Sequence, residues 1–510
     1  MKKLTPRGAV ILMPLFAAII ICMNSCQKQE SRPSEEIVSG PDVIFYSITT
    51  SGQLAKFNAM TPQNILSSVS ISGLQPGETI LAIDFRPATG ELYGLGSSSR
   101  LYIINTATGS SRSVIADPFT PAIDGAIAGF DFNPTVDRIR IVTSTGQNLR
   151  VHPETGMVAF TDGTINGADG ASVNAVAYTN SMAGAAATTL FDIDVTTQKL
   201  YKQTPPNNGT LSEVGSLGIN VAGEGGFDIS PDNSAILASL MVDGKSSLYK
   251  IDTATGTAKK IGNFPDGDAV KGIAIPTNPV AYAVDEMNNF LIFNPFSAAA
   301  PVTKPISGLV AGDVIEGIDF RPANGQIYAL GKLGNLYTIN TSSGAAAMVG
   351  TGFFATLTGV HFGFDFNPTV DRIRVVTTTG LNLRLHPATG ALVAMDGNLN
   401  PGKPNISGAA YANNFAGATT TTLYDIDCQT DKLYTQAPPN DGTLVEVGPL
   451  GLNISSAGGF DIGSSSGTAY GIFNIGDNAG MYKVDLTTGA ATKLSDFPVK
   501  VKGFTIGLGF

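Results

Sequence analysis

Tryptophan is absent from this chain of 510 residues, and histidine and cysteine occur three times each. Each shortage narrows the function. Without indole rings the chain lacks the flat platforms on which many saccharide-binding and glycosidase sites stack their ligands, although 14 tyrosines offer a partial substitute. The histidines and cysteines show no zinc-ligand spacing. Cys22 and Cys26 lie near the N-terminus, so Cys428 stands alone in the remaining chain and a disulfide framework is excluded. Charged residues are only 14% of the chain against 43% apolar, and the net charge of −10 offers no basic surface for the phosphates of a nucleic acid. Beyond the N-terminus no apolar run is long enough to cross a bilayer.

What is present begins with an export signal. Lys2, Lys3 and Arg7 precede the apolar run AVILMPLFAAIIICM at residues 9–23, which is short for a membrane span and is interrupted by Pro14. It ends in Asn24-Ser25-Cys26, a small residue directly before a cysteine, as in the lipobox of bacterial lipoproteins. Cys22 follows the bulky Ile21 and is the poorer candidate. Cleavage before Cys26 would remove a signal peptide of residues 1–25, take the net charge from −10 to −13, and leave lipidated Cys26 heading a polar tether over residues 26–41. Several acyl chains on one cysteine anchor stably, at about 0.8 kcal/mol per buried CH2. The expectation is a lipid-anchored protein of the bacterial cell envelope, at the outer membrane. Its partners would be the membrane and a protein or small-molecule ligand, with no nucleic acid.

The rest of the chain is written twice. GFDFNPTVDRIR stands at Gly129–Arg140 and again, unchanged, at Gly363–Arg374, 234 residues on. AIDFRPATGELYGLG at 82 answers GIDFRPANGQIYALG at 317, and LYKIDTATG at 248 answers MYKVDLTTG at 481. Each copy holds a shorter period, marked by Asp84, Asp131, Ala177, Asp228 and Ala274 at intervals of 46 to 51 residues. Within a period four short apolar runs alternate with turn residues, which predicts four antiparallel strands, the content of a propeller blade. The chain is therefore expected to be all-β, with two tandem five-bladed β-propellers over residues 42–277 and 278–510. KGIAI at 271 and KGFTI at 502 read as innermost strands that complete the first blade of their own copies. The alternative is one ten-bladed propeller, in which Ile273 pairs forward with residues 280–295.

GFDFNPxxDRIR, followed by NLRxHP and then Thr-Gly, resembles the signature of domain of unknown function 4394, and both copies carry it. The resemblance implies a bacterial, often exported, propeller-like protein, and it brings no catalytic residues with it.

Two constellations carry candidate chemistry. Asp84, Asp131 and Asp228, with Asp319, Asp365 and Asp461 in the second copy, lie on inner strands, where three carboxylates converging on a channel would suit a hard cation such as Ca2+. The structural alternative is that they accept hydrogen bonds from backbone N–H groups or an arginine. The second constellation is a polar row: Arg138, Arg140, Arg150 and His152, repeated as Arg372, Arg374, Arg384 and His386. Alternation places the arginines of each strand on one face, where they would bind a carboxylate or phosphate, or else join an inter-blade ion network with Asp131 and Asp137. GSSSG at 463–467 matches the serine-hydrolase string G-x-S-x-G but falls in a hairpin loop rather than a strand–turn–helix. PPNNG and PPNDG are expected to form type I′ hairpin tips. With no nucleophile–base pair, the leading expectation is a non-enzymatic binding or scaffold lipoprotein without a catalytic residue or an assigned cofactor. The alternative is a glycosidase-like hydrolase using the channel carboxylates.

Overall fold

Inner strands such as Ile80–Phe85 are buried along nearly their whole length, whereas the outermost strand Ile65–Ser70 is exposed. Between these extremes, Leu92–Gly96 and Leu101–Ile104 are apolar on both faces, because each sheet is covered by a neighbour on either side. This gradient is that of blades stacked around an axis. The computed structural model describes residues 37–223, 225–352 and 357–510. The expected signal peptide, Cys26 and most of the tether lie outside the described residues.

Among the described residues the strands form ten four-stranded antiparallel sheets and no α-helix. The last strand of each copy settles the closure. Val270–Ala274 pairs with Ile44–Thr49, placing Ile273 opposite Ser47. Val501–Ile506 pairs with Ala281–Asp285, placing Phe504 opposite Ala283. Each copy thus closes on itself as a five-bladed propeller, and its terminal strand becomes the inner strand of its own first blade. Ile273 does not pair forward, which excludes the ten-bladed ring. Closure also leaves no inner edge for another chain to pair with.

The core is a set of layers between blades. Tyr93 of one blade meets Phe132 of the next edge to face, with ring centroids 5.2 Å apart, and Tyr328 meets Phe366 at the same distance in the second ring. Five inner strands pack so closely that side chains are excluded at some positions. A Cβ on Gly226 would lie 2.4 Å from the Ile273 nitrogen on the neighbouring inner strand. One turn departs from expectation. PPNNG does join two paired strands, Lys199–Gln203 and Leu211–Ser216, but its Pro206–Asn208 segment is a 3-10 turn. Only Gly209 takes positive φ there, whereas a type I′ turn needs it at both central residues. Two successive prolines fix φ near −65° and favour the 3-10 turn instead.

From Ile37 to Phe510 the chain forms one compact unit. The segment expected to be tether meets the first ring early: Ile37 bridges to Lys260, and the Val38 N–H donates to the Lys260 carbonyl. The two rings meet through the turn that follows the same inner strand in each, around Arg86–Glu91 and Arg321–Gly325. Arg112 donates to the Pro322 and Ala323 carbonyls at 3.1 and 3.0 Å, and the Tyr282 hydroxyl to the Ala88 carbonyl at 2.9 Å.

Candidate functional site

The inner strands bring the six aspartates together as two groups of three. Carboxylate oxygens of Asp84, Asp131 and Asp228 lie within 4.8 Å of one another, as do those of Asp319, Asp365 and Asp461. All six are buried, at 3% exposure or less. Each carboxylate also reaches the next inner strand. Asp84 accepts from the Phe132 N–H at 2.8 Å, Asp131 from Tyr178 at 3.2 Å and Asp228 from Ile275 at 2.5 Å. The second ring repeats this with Phe366, Tyr411 and Ile506. The aspartates therefore both stitch blade to blade and converge at the centre. Among the described residues, no lysine, arginine or histidine pairs with any of the six. Burial, reinforced for Asp84 by the Asp228 charge and for Asp319 by the Asp461 charge, pushes these carboxyls well above the usual range. Burial alone raises Asp228 to about 7 and Asp461 to about 6, against the backbone donors that lower them.

The polar row is brought together too, with a different carboxylate at its heart. Arg140 and Arg150 both bind Asp162, at 2.6 and 2.7 Å, and Arg374 and Arg384 both bind Asp396 at 2.7 Å. Arg140 also donates to Asn148, Asn207 and the Tyr178 hydroxyl. Asp131 and Asp137, the partners expected from sequence, are engaged elsewhere. Among the described residues, Arg138 and Arg372 bond only to nearby carbonyls of their own turns. In the second ring Arg372, Arg384 and Tyr411 border a shallow pocket of about 230 Å³. His152 is lowered to about 4 by burial and by the Arg138 and Arg86 charges, so it is neutral at physiological pH. His386 accepts a hydrogen bond from the Ala388 N–H at 3.2 Å, as a structural imidazole does.

Asp162 and Asp396 sit at the same offset from the row in both copies, a signal that reading across the repeat would have caught. Arg86 is a second omission. Fully buried where the rings meet, it binds Asp137 through two nitrogens, Glu154 at 2.8 Å and the Gly325 carbonyl at 3.0 Å. Thr341 of the second ring adds a hydrogen bond to Asp137 at 3.0 Å. Burial acts to raise Asp137, but the Arg86 charge and hydrogen bonds prevail and hold it below the usual range.

A third feature had no sequence signal. A cleft of about 610 Å³ opens between the rings, lined from the first by Phe85, Glu91 and Arg112 and from the second by Asn414, Phe415 and Ser465. Two residues of this wall carry a buried oxygen without a hydrogen-bond partner, Glu91 Oε2 and Asn414 Oδ1, and the other Glu91 oxygen lies 3.6 Å from Arg112. Phe415 is half exposed on the cleft wall. The GSSSG string contributes Ser464 and Ser465 to this wall from the turn between Ser456–Ile462 and Ala469–Ile475, a β-hairpin as expected and not a nucleophile elbow.

The family model for a domain of unknown function, DUF4394, matches residues 53–274 and again 289–506. The chain belongs to that family. Each DUF4394 match covers one ring except its first strand, Ile44–Thr49 or Ala281–Asp285. No curated protein matches the chain. The blade carrying GFDFNPTVDRIR holds Asp131, Arg138 and Arg140 of one DUF4394 unit, and Asp365, Arg372 and Arg374 of the other.

Proposed function

We propose that this protein is a non-enzymatic, lipid-anchored binding protein of the bacterial envelope whose ligand seat is the cleft between its two rings. The observation that carries this reading is the cleft of about 610 Å³ itself, walled by Phe85, Glu91 and Arg112 of one ring and by Asn414, Phe415 and Ser465 of the other. Clefts between domains are favoured ligand positions. Asn105, Ser111, Ser464 and Ser465 line the same cleft, so the ligand class this fits is a polar one with an apolar face for Phe415, such as a saccharide or a peptide. The hydrolase alternative draws less support. Glycosidase carboxylates flank an accessible bond, about 5 to 9.5 Å apart, whereas these aspartates are buried and closer together.

The reading is tested by screening saccharide and peptide libraries against the purified protein, then mapping hits by hydrogen exchange. Bound ligand is expected to slow exchange at residues 105–112 and 414–417, and Phe415→Ala, at an exposed position of the wall, should weaken binding at least tenfold. Hits that protect other surfaces, or that Phe415→Ala leaves unchanged, would overturn the placement.

A further inference from the structure

We propose that the three-aspartate centre of each ring is a hard divalent-cation site, with Ca2+ the ion it fits best. Three carboxylates that all lie within 4.8 Å of one another, with no cationic side chain paired to them, must be compensated by protons or by an ion. The ligand atoms are all oxygen, and their separation does not exceed twice a calcium–oxygen distance of about 2.4 Å.

Two further observations favour an ion. In the second ring the carboxylates are not all satisfied by the protein. Asp365 is 1% exposed and its Oδ2 has no hydrogen-bond donor. Beside it, close enough for its charge to act on Asp365, stands Asp425, fully buried with both carboxylate oxygens unpartnered. Asp192, its counterpart in the first ring, is likewise buried with both oxygens unpartnered. The second observation concerns Thr505. Its hydroxyl oxygen lies 3.0 Å from Asp319 Oδ1 and 2.9 Å from Asp461 Oδ2. A hydroxyl has one hydrogen, so it can donate to only one of the two, and the other contact needs a carboxyl proton or an ion beside it. The first ring has Ala274 at this position, so its aspartates have backbone donors alone. A cation would supply what both centres lack, loaded as the ring closes because the finished site is buried.

Metal content of the full mature chain, purified without chelator and measured by plasma mass spectrometry, decides the matter. About one Ca2+ per ring is expected. The same protein unfolded and refolded in chelator should melt several degrees lower, and refolding with Ca2+ alone should restore the melting point. Asp131→Asn and Asp365→Asn should each halve the metal content, and together abolish it. Because a variant can fail for want of folding, the wild-type chain supplies the deciding result. If it carries no metal from cells and melts identically after refolding in chelator and in millimolar Ca2+, the centres hold protons only and the proposal is wrong. Mg2+ and Mn2+ arms run alongside, and preferential retention of either would overturn the assignment to Ca2+.

Discussion

Arg86 and Arg321 occupy the same position in two copies of one unit, yet their surroundings differ. Arg86 is fully buried between Asp137 and Glu154, under the second ring. Arg321 holds Asp371 through an equivalent pair of bonds, with the aspartate side chain 37% exposed and Ala388 where Glu154 would be. Water screens the second pair and not the first. Arg86→Ala should therefore destabilise by about 3–5 kcal/mol, because two buried carboxylates lose their only guanidinium. Arg321→Ala should cost about 1 kcal/mol or less. Urea unfolding of the two variants checks this, and equal losses would contradict it. Nothing in the letters around Arg86 announces the difference. RPATG and RPANG look alike, and what separates them is the burial that the other ring imposes.

At the scale of the strand, the governing constraint is how closely five inner strands approach. Gly226 and Gly272 sit at matching places on adjacent inner strands. A Cβ at Gly226 would meet the Ile273 nitrogen at 2.4 Å, and one at Gly272 would meet nothing nearer than 3.6 Å. Gly226→Ala should cost about 1–3 kcal/mol by forcing backbone apart, whereas Gly272→Ala should be nearly neutral. Thermal melts of the pair would show it. The strands themselves were legible in the sequence, because a blade covered on both sides writes continuous apolar runs and the turns between them are marked by glycine and asparagine. Closure was legible as well, since KGIAI and KGFTI lacked mates in their own periods. The aspartate trios could be placed on inner strands but not aimed, because alternation does not say how narrow a five-bladed centre is. Asp162 stayed hidden for the opposite reason. It lies in a loop after an outer strand, where no periodicity assigns it a partner. The cleft was beyond reach, being made by residues 91 and 414 of two separate rings.

For the whole molecule, ring pairing sets the arrangement, and the proposed anchor would set its place. Ile37 already touches the first ring, 11 residues after Cys26, so a lipidated Cys26 would hold that ring within about 36 Å of the membrane. Cys26→Ala is expected to move the protein from the membrane fraction to the soluble one on cell fractionation, and continued sedimentation with membranes would disprove the anchor. The pairing of the rings has a further consequence. The same turn, Arg86–Glu91 in one copy and Arg321–Gly325 in the other, takes part from both sides, but without reciprocal bonds: Arg86 reaches the Gly325 carbonyl and Arg112 the Pro322 and Ala323 carbonyls, whereas Arg321 binds Asp371 of its own ring. On separate chains such a contact would form only to an extent set by concentration. Here only six residues separate Ala274 from Ala281, so the partner is always present at an effective concentration on the order of millimolar. Tandem duplication has thus turned a pairing that would vary with expression level into a fixed property of each molecule.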